Sequence, residues 1–311
     1  MKKTLNFTGR SKIFFGISLA IILIGIICNV IFGTTLDIQF KGGSVIKYSF
    51  VGEIDEAALK DTIQKATPNN TVPFSLAKDK MNDTADAKAF IIDINFSGEQ
   101  NISIEQQDAL STALETNFKA NNFKYLESST VDAAMGFNFL LKCLTAVVIA
   151  SVLMVLYVTI RFKNIGGFSA GVMALVALFH DVAMIYFMYV IFRMPIDSNF
   201  IAVVLMILGY SLNDTIVIYD RVRENRKLAG PKADVADIFN KSATGVLKRT
   251  IWTSVTTLTA IGTVYVVATI FNLDSVQSFA LPMMIGVVSG CYSSICIAGP
   301  LWVMWKKRKG E

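Results

Sequence analysis

Six long stretches of this sequence are almost free of charge, and they decide what the chain can fold into. Residues 13–33, 136–160, 200–219, 251–271 and 279–305 carry few ionisable side chains, and 166–192 holds only His180 and Asp181 in its middle. Each reaches the ~20 residues that a helix needs to cross ~30 Å of hydrocarbon. Lipid offers a backbone no hydrogen bonds, so helices are the expected form. The 311 residues are 53% hydrophobic and 17% charged, against about 45–50% and about 25% in soluble domains. A soluble enzyme, a disulfide scaffold and a disordered chain are excluded, and a six-span membrane protein is expected. Cys28, Cys143, Cys291 and Cys296 all lie within apolar stretches and form no C-x-x-C motif. The run 13–33 is too long for the apolar part of a cleaved signal and is expected to remain as an anchor.

Charge asymmetry orients the spans. Of 29 Lys and Arg, 18 fall in the N-terminus, the 161–163 turn, the 220–250 loop and the tail, against five acids there, an excess of +13. The segment 34–135 holds 9 basic and 15 acidic residues, a net of −6. The positive-inside rule makes both termini cytoplasmic and 34–135 extracytoplasmic. The net charge of +5 therefore describes membrane orientation, and no nucleic-acid partner is expected. The expected organisation is a cytoplasmic N-terminus and first span over 1–33, an outer domain over 34–135, spans two to six with the cytoplasmic loop 220–250 over 136–305, and a basic tail over 306–311.

Within the outer segment, alternating apolar residues predict strands at Ser44–Phe50 and Ala89–Phe96, with weaker ones at Val72–Lys78 and Lys124–Thr130. Helices are predicted at Asp55–Ala66 and Ser103–Ala120. Ser103 and Gln106 have capping-box spacing, and Ile104, Ala109, Leu110, Ala113, Leu114 and Phe118 form the apolar stripe. The βαββαβ order is that of a ferredoxin-like α+β domain.

Polar residues inside the spans are costly, about 2.5–3.5 kcal/mol for a mid-bilayer charge. Asp214 lies too deep to reach either surface, with Tyr210, Ser211, Asn213 and Thr215 around it. The favoured reading is a protonatable carboxyl facing the bundle interior, the other being a carboxyl in a fixed hydrogen-bond network. In span five, Thr250, Ser254 and Thr257 share a face and either line a polar path or pack closely. Arg249, at the cytoplasmic start of that span, is a topology anchor or an inward counter-charge. His180 and Asp181 form either a relay or a structural pair. Neighbouring helix positions point about 100° apart, so the two are not expected to share a partner. Gly286, Gly290 and Ser294 form a small-xxx-small packing ridge. No metal-ligand spacing, P-loop or catalytic triad occurs, and neither an enzyme nor a metal site is expected.

The run G-Y-S-L-N-D-T-I-V-I-Y-D-R-V-R-E (Gly209–Glu224) resembles the fourth-span signature of the SecF branch of the SecD/SecF protein-export family. Also similar are F-H-D-V (Phe179–Val182), the Lys248–Thr257 stretch and F-A-L-P-M-M-I-G-V-V-S-G-C-Y-S-S-I (Phe279–Ile295). The family usually has Asp-Phe-x-Gly-Gly after its first span. Here Gln39 stands at the Asp position, Asp37 lies two residues earlier, and Gly42–Gly43 is kept. The resemblance implies membership of the resistance-nodulation-division superfamily and a bacterial cytoplasmic-membrane location. It implies a SecD-like partner, the SecYEG channel and unfolded exported polypeptides as further partners. Protons would be the coupling ion and no cofactor is needed. Asp214 matches the proton-linked acid, and Arg249 its basic partner.

The leading function is an auxiliary proton-driven export subunit. The alternatives are a proton-coupled small-molecule exporter of the same superfamily and, behind it, a membrane sensor. Gly42, Gly43 and Gly136 are the expected hinges, within short tethers at Thr34–Gly43 and Val131–Gly136.

Overall fold

The computed structural model describes residues 4–67, 74–78, 88–97, 102–230, 233–271 and 273–310. The first span, α1 (Ser11–Phe32), leads through the one-turn α2 (Ile38–Lys41) into β1 (Gly43–Val51), α3 (Glu56–Ala66), β2 (Phe74–Lys78), β3 (Ala89–Ser97), α4 (Ile104–Asn117) and β4 (Lys124–Val131). Then come α5 (Ala133–Arg161), α6 (Gly167–Ile191), α7 (Ser198–Ala229), α8 (Val235–Ile270), α9 (Asp274–Ser293), a π-helical turn at Ser294–Ala298 and α10 (Gly299–Arg308). Among the described residues six helices are long and apolar enough to cross a membrane, α9 to α10 acting as one span. The chain divides into two compact units: Leu36–Cys143 with Val267–Asp274, and Met1–Thr35, Leu144–Val266 and Ser275–Glu311.

The first of these carries a four-stranded sheet in the order β2-β3-β1-β4, every neighbouring pair antiparallel. Alternation in β1 buries Ile46, Tyr48 and Phe50 with Leu59 and Ile63 of α3 and Leu110 and Leu114 of α4. Asp55 caps α3 by accepting from Ala57 N at 3.0 Å, and Ser103 and Gln106 close a reciprocal capping box on α4. Ile104 departs from the expected stripe. It is 79% exposed, and Ile102, ahead of the cap, enters the core instead. Of the predicted strand 72–78, residues 72 and 73 lie outside the described residues.

Asp37 caps α2 through Gln39 N at 3.0 Å, while Gln39 is exposed. Gly42 and Gly43 have φ of 77° and 126°, values that a side chain resists. A Cβ on Gly42 would stand 2.4 Å from Ala133 Cα, and one on Gly136 would stand 3.0 Å from Gly42 N. The expected tether at 131–136 is corrected. Only Asp132 separates β4 from α5, its carboxylate accepts from Ala134 N at 2.8 Å, and Gly136 sits in the first turn of a continuous helix. Gly42 and the start of α5 at Ala133 and Gly136 form a close backbone crossing, while Gly43 packs on the Phe96 carbonyl of β3.

In the other unit α6 packs against α1, α7, the π turn and α10. Phe162, Tyr219, Phe239 and Trp302 fill the core at one end. The polar 220–250 stretch continues the helices: α7 runs to Ala229, α8 starts at Val235, and Gly230 ends α7 at φ 80°. The N-terminal segment is pinned to α8. Asn240 Oδ1 accepts from Phe7 N and Thr8 N at 3.0 and 3.1 Å, while its Nδ2 donates to Thr8 Oγ1 and Asn6 Oδ1 at 2.9 and 3.3 Å.

Candidate functional site

Among the described residues two carboxylates are buried among the spans, and their surroundings differ. Asp181 on α6 is 0% exposed. Its Oδ1 accepts from Ser289 Oγ at 2.6 Å and its Oδ2 from Ser211 Oγ and Ser293 Oγ, both at 2.7 Å. His180 Nδ1 lies 3.3 Å from Oδ1 and donates there in its Nδ1–H tautomer. Four donors match the four lone-pair sites of an ionised carboxylate, so Asp181 is saturated. His180 and Asp181 do share a partner, Ser289, whose hydroxyl also stands 3.5 Å from His180 Nδ1. This corrects the expectation from helix spacing: rotamer freedom brings both side chains to one hydroxyl.

Asp214 on α7 is 4% exposed, yet its Oδ2 has no hydrogen-bond partner. Arg249 is the charge that acts on it, without forming a direct ion pair. Thr250 and Ser254 on α8 are 1% and 5% exposed; the Thr250 hydroxyl has no partner, and that of Ser254 meets only the Cys291 thiol. Cys291 of α9 lies beside Ser254 and within electrostatic reach of Asp214. Asp214 Oδ2 on α7 and Thr250 Oγ1 on α8 are therefore left without partners inside the spans, where a residual charge or an unpaired polar group is costly. Tyr210 OH donates to Thr257 Oγ1 at 3.3 Å, continuing the stripe. Toward the other end a cavity of about 410 Å³ is lined by Asp220, Arg221, Arg223, Glu224, Lys227 and Arg249 among others.

Close approach of the last span makes this possible. A Cβ on Gly290 would stand 2.9 Å from Ser211 Cβ, and one on Gly286 would stand 2.5 Å from Ile207 Cγ1. Ser294 does more than pack: its Oγ donates to the Ser211 carbonyl at 3.1 Å and receives Thr215 Oγ1 at 2.9 Å. It also opens the π-helical turn, an irregularity frequent at functional sites. Asn213 is exposed and does not join the cluster. Ser289 and Ser293 are ligands of Asp181 that sequence reasoning missed. Their i, i+4 spacing next to the glycine ridge was the available signal.

The C-terminal family model for SecD/SecF protein export membrane proteins matches residues 110–308. The protein translocase subunit SecF of Alicyclobacillus acidocaldarius is 30% identical over 99% of this chain and 95% of its own. The chain belongs to the SecD/SecF family. The protein translocase subunit SecDF of Bacillus subtilis is 31% identical over 98% of this chain but only 38% of its own length. A crystal structure of SecDF, a translocon-associated membrane protein from Thermus thermophilus, superposes with a TM-score of 0.78 at 27% identity, over 99% of this chain and 39% of that one. The chain thus spans about two fifths of these longer family members. It is a multi-pass membrane protein of the SecDF-like fold.

Proposed function

We propose that this chain is the SecF subunit of a bacterial Sec protein translocase. It is a non-enzymatic auxiliary subunit that uses the proton gradient, with a SecD-like partner, to promote late translocation and release of exported polypeptides. The SecDF relatives, in which about three fifths of the polypeptide lies outside the part this chain matches, support a separate SecD-like partner here. The same reading adds the SecYEG channel and unfolded polypeptides as partners and makes protons the coupling ion. Charge distribution supports cytoplasmic termini. The βαββαβ order with sheet order β2-β3-β1-β4 supports a ferredoxin-like outer domain.

One observation carries the mechanism: of two buried carboxylates, Asp181 is saturated and Asp214 keeps a free oxygen. Both oxygens of Asp181 already hold hydrogen-bond donors. A proton on Asp214 removes a charge held in low dielectric and turns its free oxygen from an acceptor into a donor. In the proposed orientation the Tyr210–Thr257 pair lies on the outer side of Asp214. The charged cavity holding Arg249, Asp220 and Glu224 lies on the cytoplasmic side. Protons enter along the hydroxyl stripe and leave through that cavity. Switching the charge of Asp214 changes how strongly Arg249 holds α8 against α7, and only such differential contacts bias a two-state bundle. α5, continuous from its cap at Asp132 into the membrane, relays the change to the outer domain, with the Gly42 and Gly136 crossing as pivot.

Asp214→Asn keeps volume and hydrogen bonding but cannot titrate. In vesicles containing SecYEG and the SecD-like chain, this variant should assemble at normal abundance and lose the gradient-dependent part of translocation. Undiminished gradient stimulation at normal abundance would refute the proton site.

A further inference from the structure

We propose that the basic end of α7 holds the headgroup of an anionic phospholipid. The turn between α5 and α6 (Asn164, Ile165), the end of α7 (Arg223, Arg226, Lys227) and Gly230 enclose a cavity of about 280 Å³. Among the described residues that line it, three are cations and none is an acid. Arg223 leans on Asp220 at 2.9 Å. Arg226 and Lys227 have no carboxylate partner among the described residues. Arg226 Nη1 is buried and lacks an acceptor altogether.

A guanidinium offers five fixed N–H donors and cannot shed its proton, so an unmet buried N–H must find an acceptor or stay costly. A phosphodiester supplies that acceptor in the fork geometry that Arg matches. Depth selects the source of the phosphate. Tyr219 is the last buried aromatic of α7 before the charges begin. At 1.5 Å per residue, Arg223 and Arg226 lie about 6 and 10 Å beyond it. A bilayer with ~30 Å of hydrocarbon in ~40–45 Å overall has a headgroup layer of about 5–7.5 Å on each side. The Arg223 backbone therefore falls within it and that of Arg226 just outside it, from where a long side chain reaches back. Basic pockets between spanning helices on the cytoplasmic side are where anionic headgroups bind. The neighbouring cavity at Arg249 contains Asp220 and Glu224, so it is closer to charge balance and makes no equivalent offer. The two cavities share Arg223 and Lys227. A lipid phosphate here therefore alters the field at the mouth of the proposed proton exit.

The test uses the full chain in detergent micelles, with phosphatidylglycerol, phosphatidylcholine or inorganic phosphate as probe and native mass spectrometry as readout. One phosphatidylglycerol should be retained in preference to phosphatidylcholine. Arg226→Gln with Lys227→Gln should weaken its retention at least tenfold, while Lys309→Gln on the tail should leave it unchanged. Arg226→Lys, which keeps the charge and loses the fork, should weaken retention about threefold and serves if the double variant elutes as aggregate. Retention that is equal in wild type, the double variant and Arg226→Lys would overturn the site. Displacement of the lipid by equimolar inorganic phosphate would overturn the lipid assignment in favour of free phosphate.

Discussion

Ser211 gives its hydroxyl to Asp181 at 2.7 Å and its backbone carbonyl to Ser294 at 3.1 Å. One residue of α7 thereby ties α6 to the last span, three positions before Asp214. Two turns of α7 thus carry a fixed joint and, next to it, a carboxyl with an unfilled oxygen. A bundle built this way has α6, α7 and α9 locked together through Asp181. α8 supplies none of the ligands of Asp181 and bears the unpaired Thr250 hydroxyl.

The locked joint has a measurable cost of removal. Asp181→Ala leaves Ser211, Ser289 and Ser293 without their acceptor in a dry site, where each unsatisfied group costs about 1–3 kcal/mol, reduced where a serine turns back to its own helix. A net loss of about 3 kcal/mol is expected in detergent unfolding. Asp181→Asn, which keeps one acceptor oxygen, should lose about half as much. Asp214→Asn, in the same assay, should be neutral or stabilising. Equal losses for Asp181→Ala and Asp214→Asn would mean that both carboxylates are structural.

Asn240 spends both ends of its side chain on the N-terminal segment, accepting from Phe7 and Thr8 and donating to Thr8 and Asn6. Asn240→Ala should release residues 4–9 and expose Lys12 and Arg10 to trypsin at least tenfold faster. Global stability should fall by no more than about 1–2 kcal/mol, because the segment lies at the surface where water replaces the bonds. An unchanged cleavage rate would show that packing, and not Asn240, holds the segment.

How much was legible in the sequence depends on which physical signal each feature left. The spans and both central strands follow from hydrophobic pattern, and Ser103 with Gln106 announces a cap in four letters. Asp214 stands out because a lone mid-span charge is rare. The Asp181 cage was not legible, since its ligands come from three helices and hydroxyls in spans are common for packing alone. Ser294 looked like a packing residue for the same reason: small size serves both Gly290-type contact and hydrogen bonding. Asn213 shared the sequence neighbourhood of Asp214 but, one position away on a helix, faces outward.

The tail and the loop before α8 are joined by an acid-sensitive contact. Lys307 Nζ stands 3.1 Å from Asp234 and holds its carboxyl below the usual carboxylate range. A carboxylate depressed in the folded state stabilises at pH values above its unfolded pKa of about 3.9, and that contribution fades as pH falls through the lower folded value. The contact should therefore be intact at pH 7 and pH 5, and its contribution should decline only once the pH falls below the unfolded value of about 3.9, vanishing through the lower folded one. Both groups are exposed, so the effect is local. Trp305 fluorescence, next to Lys307, should change with that acid transition in the wild type and not in Asp234→Asn. An identical titration in both would assign the change to another group.

The orientation rests on charge alone and is open to direct labelling. A segment with net −6 lies between spans one and two, whereas the four basic segments carry +13, and translocating Lys and Arg is what the insertion machinery resists. Ser129 on β4 is exposed, so Ser129→Cys offers a thiol on the outer domain. Cys28, Cys143, Cys291 and Cys296 are free thiols and should be replaced by Ala or Ser so that this one reports alone. A membrane-impermeant maleimide added to intact cells should modify Ser129→Cys without permeabilisation. Lys309→Cys on the tail should react only after the membrane is opened. The reverse pattern would invert the topology. It would then place the Arg249 cavity outside, exchange the proposed entry and exit of the proton path, and remove the headgroup site from the cytoplasmic leaflet.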